Sequence, residues 1–395
     1  MTLSASGGRG GTLSGRFATG DTAVAVSPTS GAVRNCDTGR LPEFMANKHF
    51  KLILIQTVAV LLSILAAFAV GAALMLLIKV NPVEVYWKLF EGVFLTPYGI
   101  AQTIFKATPL IMTGLAIALG FKAGIFNIGA EGQMIVGGFL CAYAGFSLHG
   151  LPPVVHIAVC AAAAFAGGLA WAALPALLRV KTGAHEVITT IMMNFIALAL
   201  TNYFITGYFH LPETVHTQLI APAASLARMD SFVGAFRGSP ANMAFFIALA
   251  LSACVWWALW KTPYGYETRA VGLAPFAAET AGINIKKNLL FTFLLSGGLS
   301  GLAAMNFIMG YKHYFEEGFS QGAGFMGIAV ALVGQNHPAG IILAAFLFGA
   351  LSHGTLVINA LVPKDIIQIL QALVIIFVIS SNLAVRKFYS PGREK

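Results

Sequence analysis

The dipeptide Gly-Lys does not occur in this sequence, so it holds no phosphate-cradling loop of the G-x-x-x-x-G-K-[ST] type. H-E-x-x-H and C-x-x-C are also absent, which removes the common zinc-protease and dithiol signatures. Cysteine is scarce: Cys36, Cys141, Cys160 and Cys254 show no metal spacing, and three of the four lie in apolar stretches, where a thiol packs as a small side chain. Charge is scarce as well, at 10% of 395 residues against 57% hydrophobic, with a mean hydropathy of +0.79. That balance excludes an ordinary soluble domain. No metal or cofactor is expected, and uphill movement of a solute would need an ion gradient or another subunit. The net charge of +9 is assigned to cations flanking spans that contact membrane lipid, so no nucleic-acid partner is expected.

Apolar length is what the chain does have. Leu52 to Ile78 runs for 27 residues without a charge, and Val154 to Leu178 for 25 more. Each is long enough to cross a hydrocarbon layer of ~30 Å. The run from Leu52 is too long for a cleaved signal peptide and reads as a retained helix. Apolar stretches recur at 52–78, 99–121, 125–148, 152–178, 185–208, 241–260, 289–310, 324–336, 338–361 and 365–385. The expected fold is an all-α polytopic membrane protein with about ten transmembrane segments, some of them discontinuous. The eighth stretch is too short for a straight span. Residues 1–45, rich in Gly, Ser, Thr and Ala, read as a disordered cytoplasmic tail, 46–388 as the transmembrane domain and 389–395 as a cytoplasmic C-terminal tail.

With the N-terminus inside, seventeen Lys and Arg fall on the cytoplasmic side and seven on the other. The positive-inside rule therefore places both termini in the cytoplasm. Two long connections follow. The outer one, about 210–240, carries Pro212 and Pro222 and suits a partner-facing loop. The inner one, 261–288, reads KTPYGYETRAVGLAPFAAETAGINIKKN, and its proline predicts one short helix over Pro275–Ala281. Such a helix is either a docking element or part of an ordinary surface loop.

Polar groups inside apolar stretches carry the remaining chemistry. FKAGIFNIGAEGQMIVGGF, Phe121–Phe139, sets Glu131 with Asn127 and Gln133 among glycines. An ionisable group at membrane depth costs roughly 3 kcal/mol or more, so it faces a partner or a wet pathway. Glu186, Thr190, Asn194 and Thr201 share one helical face, which bonds either a neighbouring helix or a polar solute. Glu186, near the end of its stretch, is expected to be solvated. Gly297 and Gly301 predict close helix packing. FSQGAGFMGIAVALVGQNHPAG, Phe319–Gly340, has the breaks of a re-entrant or discontinuous helix. The candidate translocation-path residues are Phe126, Asn127, Glu131, Thr190 and Asn194, with Phe195 and Phe325 beside them. Glu131 is either a cargo contact or an anchor for backbone groups freed at a broken helix.

Four motifs in order resemble permeases of bacterial ATP-binding cassette importers: FNIGAEGQ (126–133), EVITTIMMN (186–194), RAVGLAPFAAETAGIN (269–284) and GAGFMGIAVALVGQNHPAG (322–340). The resemblance covers about residues 50–388 and is closest to the nucleoside and simple-sugar branch, related to ribose and branched-chain amino acid permeases. It implies an inner-membrane transport subunit without an ATPase site of its own. It also implies a second permease, homologous or identical, a cytoplasmic ATP-binding subunit, and an extracytoplasmic solute-binding protein. The coupling helix then maps to about Ala274–Gly282, with Arg269, Gly272, Ala277, Ala278, Glu279 and Gly282 coupling to the ATPase. Gly272 and Gly282 are expected to flank it through special backbone angles.

Two other mechanisms fit parts of the pattern. An ion-coupled secondary transporter working through Glu131 explains the carboxylate and the broken segments, but leaves Arg269–Asn284 without a purpose. A passive channel explains least. A nucleoside or similar neutral ring is favoured as cargo over a branched-chain amino acid, because the predicted span interiors hold no arginine to meet a carboxylate.

Overall fold

The computed structural model describes residues 41–389. Residues 1–40 and 390–395, most of the two expected tails, lie outside the described residues, and at 41–45 the chain is already helical. The helices in chain order are α1 (Leu41–Leu77), α2 (Pro82–Phe90), α3 (Pro97–Lys122), α4 (Ala130–Ser147), α5 (Pro153–Thr182), α6 (Glu186–Phe204) and α7 (Ala244–Lys261). They continue with α8 (Pro263–Leu273), α9 (Pro275–Thr280), α10 (Ile285–Leu302), α11 (Met305–Phe307), α12 (Ala323–Val333), α13 (Pro338–Ile358) and α14 (Lys364–Tyr389). Among the described residues the β-structure is confined to isolated bridges. The chain is an all-α polytopic membrane protein, as expected.

The helix starts follow from local chemistry. Proline opens α2, α3, α5, α8, α9 and α13, where its missing N–H costs nothing. Asn81 and Thr96 cap α2 and α3 by accepting the N–H groups of Val83 and Gly99. Among the described residues, eight helices are long and apolar enough to cross a membrane. Two of the ten apolar stretches do not qualify. The helix α12 has only 11 residues, and α4, at 18 residues, is diluted by Glu131, Gln133 and its glycines.

From Ile53 onward the described chain packs as one compact unit. Its centre is α3, 83% buried over its span window, whereas the Thr57–Leu77 part of α1 is 22% buried and forms the periphery. The stretch that includes α10 is 72% buried. Helices α4, α5 and α10 meet through glycine: a Cβ on Gly301 would lie 2.2 Å from the Ala164 carbonyl oxygen, and one on Gly297 2.3 Å from the Ala172 Cβ. The close packing expected of Gly297 and Gly301 is therefore present.

Two helices begin inside this bundle. The Thr113 hydroxyl, midway along α3, donates to the Ala323 carbonyl at 3.1 Å, and Gly114 packs on Val330 and Ile341. The start of α12 is thus level with the middle of α3, and α12 runs beside α3 toward the end that carries Lys122. The segment 123–129 is not helical and turns back along α3: the Ile125 N–H donates to Gly120 O at 2.9 Å, and Asn127 reaches Ser296, whose hydroxyl donates to Ala116 O at 2.7 Å. Only then does α4 begin. Non-helical backbone at this depth is tolerated because protein surrounds it.

At the opposite end, 217–229 forms an ordered cover. Ile220 and Leu226 donate their N–H groups to the carbonyls of His313 and Met309, both at 2.8 Å, and Ala221 donates to Gly145 O at 2.9 Å. Met309 lies in a π-helical turn, Ile308–Lys312, whose wider winding leaves a carbonyl open to such a donor.

Candidate functional site

The starts of α4 and α12 converge on Glu131. This residue sits in the first turn of α4, and its Oε2 accepts the Gly324 N–H, in the first turn of α12, at 2.7 Å. Its Oε1 accepts the Ser320 hydroxyl. A carboxylate near the positive ends of two helices is stabilised electrostatically by both. The first N–H groups of α12 lack intrahelical partners, and Glu131 supplies one. Among the described residues no lysine or arginine forms an ion pair with it. Gly324 permits the approach, since a Cβ there would lie 2.4 Å from the Glu131 nitrogen.

Asn194 of α6 completes the start of α4 from outside the helix. Its Oδ1 accepts the Gly132 N–H at 2.8 Å, and its Nδ2 donates to the Ile128 carbonyl at 3.0 Å. Asn127 closes the other side: its Nδ2 donates to Gln133 Oε1 and Ser296 Oγ, both at 2.9 Å, and its Oδ1 accepts the Gly129 N–H at 3.0 Å. Exposures of 1% for Asn127, 7% for Glu131 and 6% for Asn194 place all three in the bundle interior. Every one of them hydrogen-bonds a broken backbone segment or its side-chain support.

Beside this node lies a cavity of about 500 Å³ between α3, the start of α12, α13 and α14. Lys106, Gln321, Ser352, Thr355, Gln368 and Gln371 set polar groups into an otherwise apolar lining, and Ser320 belongs both to this wall and to the Glu131 bonds. Lys106 Nζ donates to Gln321 Oε1 at 2.7 Å.

At the Lys122 end, α8 and α9 pack under the bundle. A Cβ on Gly272 would lie 2.2 Å from the Lys122 carbonyl oxygen, and Gly124 lies against the same glycine. Trp260 is met by Lys122 Nζ at 5.6 Å, by Arg269 Cζ at 5.9 Å and by the His337 ring at 5.1 Å. Burial, and then the Lys122 charge, hold the His337 ring below the usual histidine range. Leu273 and Phe276 stand 87% and 85% exposed on either side of Pro275, so their apolar side chains find little cover within this chain.

Residues 99–379 match the family described as branched-chain amino acid transport system / permease component. The chain belongs to this permease family. The permease is 36% identical over 328 residues to the guanosine ABC transporter permease protein NupP of Bacillus subtilis, covering 81% of this chain and 92% of that relative. It is 33% identical over 325 residues to the nucleoside ABC transporter permease protein NupB of Lactococcus lactis, covering 80% and 89%. It is 32% identical over 335 residues to the glucose ABC transporter permease protein TsgB13 of Haloferax volcanii, covering 81% and 86%. No solved structure gives a significant match.

The structure of the permease brings Asn127, Glu131 and Asn194 together and sorts the remaining candidates. The α6 stripe faces inward as expected, yet Thr190 and Thr201 close their hydroxyls on their own helix, bonding the Glu186 and Ala197 carbonyls at 2.7 and 2.8 Å. Glu186 is not simply solvated: it is buried and pairs with Arg179 Nε at 3.2 Å. Phe126 is half-buried and rests its ring 5.0 Å from that of Phe121, while Phe195 and Phe325 are exposed.

In the inner connection, the expected short helix is α9, but it is preceded by α8, a second helix that the proline signal at 275 did not reveal. Gly282 has φ +85° as expected, whereas Gly272 serves close approach rather than a left-handed angle. Arg269 leans on Trp260 and Ala278 is buried, which leaves Ala277 and Glu279 exposed. Sequence reasoning missed the groove residues. Their signal was available: Ser352 and Thr355, like Gln368 and Gln371, are polar pairs three apart in apolar helices, the same signature read on α6.

Proposed function

We propose that this permease is the membrane-spanning subunit of an ATP-driven importer of nucleosides or related simple sugars. It pairs with a second permease, homologous or identical. A cytoplasmic ATP-binding subunit docks on α9, and an extracytoplasmic solute-binding protein delivers cargo at the 217–229 cover. The observation that carries the reading is the similarity, over 81% and 80% of the chain, to proteins named as guanosine and nucleoside permeases.

The Glu131 node supports a neutral cargo. Helix starts within a transporter are the places that hold anionic groups of a substrate. Here the chain's own carboxylate already sits at both starts, bonded to Gly324 and Ser320. A cargo carboxylate arriving there would meet like charge. Glu131 is thus a positioning residue that fixes α12 against α4.

The contacts at the Lys122 end support a route for coupling. In this reading that end faces the cytoplasm, where Lys122, Lys261, Lys286 and Lys287 follow the positive-inside rule. The exposed Leu273 and Phe276 offer apolar anchors to the ATP-binding subunit. Displacement of α8 and α9 presses Gly272 on Lys122 and Gly124. The segment 123–129 passes that movement to Asn127 and to the shared start of α4 and α12.

A second reading has one observation in its favour. Lys106 lines the polar groove and is a cation that an amino acid carboxylate would seek. Competition with the assembled transporter separates the two. Excess guanosine, uridine or ribose should block uptake of labelled nucleoside while leucine does not; the reverse result sinks the nucleoside reading and leaves the permease family untouched.

A further inference from the structure

The groove between α3, the start of α12, α13 and α14 combines features that an idle or lipid-facing surface does not. Its volume of about 500 Å³ falls within the ~300–1,000 Å³ of small-molecule sites. It is open on one side, yet its lining includes Lys106, Gln321, Ser352, Thr355, Gln368 and Gln371. Ser352, Thr355, Gln368 and Gln371 interrupt the strongly apolar spans Pro338–Ile358 and Asp365–Val385. Unpaired polar groups are unfavourable against hydrocarbon, so such a lining faces water, solute or protein. Gln371 is only 8% exposed and lines the groove. A carboxamide carried on an apolar span is costly to desolvate unless a polar partner or water meets it.

We propose that this groove is the cargo-contacting wall of the translocation path, with Gln371 and Gln368 binding the polar edge of a nucleoside and Thr355, whose hydroxyl donates to Leu351 O at 2.9 Å, lining the wall beside them. The ligand class rests on the reading given under Proposed function; the site does not. A carboxamide both donates and accepts, so two glutamines three residues apart on α14 match a purine edge or a ribose diol. Lys106, held by Gln321 at 2.7 Å, closes one end of the groove. Ser320 joins the groove to Glu131, so a shift of α12 against α4 alters the wall itself. The open side is the face that a second permease would cover.

The test uses the complete transporter in membranes, with native cysteines replaced and either Thr355→Cys or Gln368→Cys introduced. Labelling by a membrane-impermeant thiol reagent is measured with and without saturating guanosine, ribose or leucine. The proposal expects labelling at both positions, slowed at least about fivefold by guanosine, and a rise in transport KM of about tenfold or more in Gln371→Leu. Affinity of the solute-binding protein stays unchanged. Reaction only with a lipid-soluble reagent overturns the groove as a path. Guanosine transport without protection, together with a parental KM in Gln371→Leu, overturns the cargo contact while the nucleoside reading survives. Transport and protection by leucine alone overturn the ligand class and support the site.

Discussion

Gly324 of α12 donates its backbone N–H to the Glu131 carboxylate at 2.7 Å, which joins the starts of two helices that begin inside the bundle. The bond is charge-assisted and buried, and a leucine at 131 would leave both the Gly324 N–H and the Ser320 hydroxyl without an acceptor. Glu131→Leu should destabilise the detergent-solubilised protein by about 3 kcal/mol and abolish uptake. Glu131→Gln keeps one acceptor and should retain measurable transport. Equal loss in both variants would place the function in the charge and revive ion coupling.

Asn194 and Thr190 share a helical face but differ in what they hold. Asn194→Ala removes the acceptor from the Gly132 N–H, a loss of about 1–2 kcal/mol with reduced uptake. Thr190→Val removes a hydroxyl that bonds only its own helix, at the Glu186 and Val187 carbonyls, and should be near neutral. Thermal unfolding of the two single variants checks the contrast; a Thr190 effect as large as that of Asn194 would contradict it.

Coupling should fail before folding does. Phe276→Ser and Glu279→Lys change exposed side chains of α9, so membrane abundance should stay at the parental level while transport and cargo-stimulated ATP hydrolysis are lost. Gly282→Val imposes a side chain on a left-handed angle, φ +85°, and should lower stability by about 1–2 kcal/mol. Quantitative immunoblotting alongside uptake separates these outcomes.

Stability should depend on pH through His337. Its folded pKa lies below the unfolded value of about 6.5, because burial and Lys122 disfavour the imidazolium. The unfolded chain therefore binds the proton first, and the contribution is fully present above about pH 6.5 and lost as pH falls through the folded pKa. Protonation also removes the Nδ1 acceptor from the Ala339 N–H, bonded at 3.3 Å. Melting temperature should fall on acidification and fall less steeply in His337→Gln; identical slopes would refute the assignment.

The sequence made the fold class legible because length and apolarity decide it, and Pro275 marked a helix start through its missing N–H. It also marked Asn127, Glu131 and Asn194, since polar groups at that depth need partners. It did not reveal what they bond. The partners of Glu131 lie 189 and 193 residues away in the chain, a relation set by packing rather than by periodicity. The helix α8 escaped notice because PYGYETRAVGL carries mixed polarity and two glycines, a weak helical pattern that tertiary contact overrides. The reason for Gly272 was equally hidden, because the Lys122 carbonyl it accommodates belongs to another helix.

The central claim is that this chain is a permease whose energy comes from a separate ATP-binding subunit. Proteoliposomes containing the complete transporter, ATP and the solute-binding protein should accumulate radiolabelled guanosine, and omission of ATP or of the ATP-binding subunit should stop accumulation. Proteoliposomes containing this chain alone should neither hydrolyse ATP nor concentrate guanosine under a proton or sodium gradient. Gradient-driven accumulation by the chain alone would contradict the account.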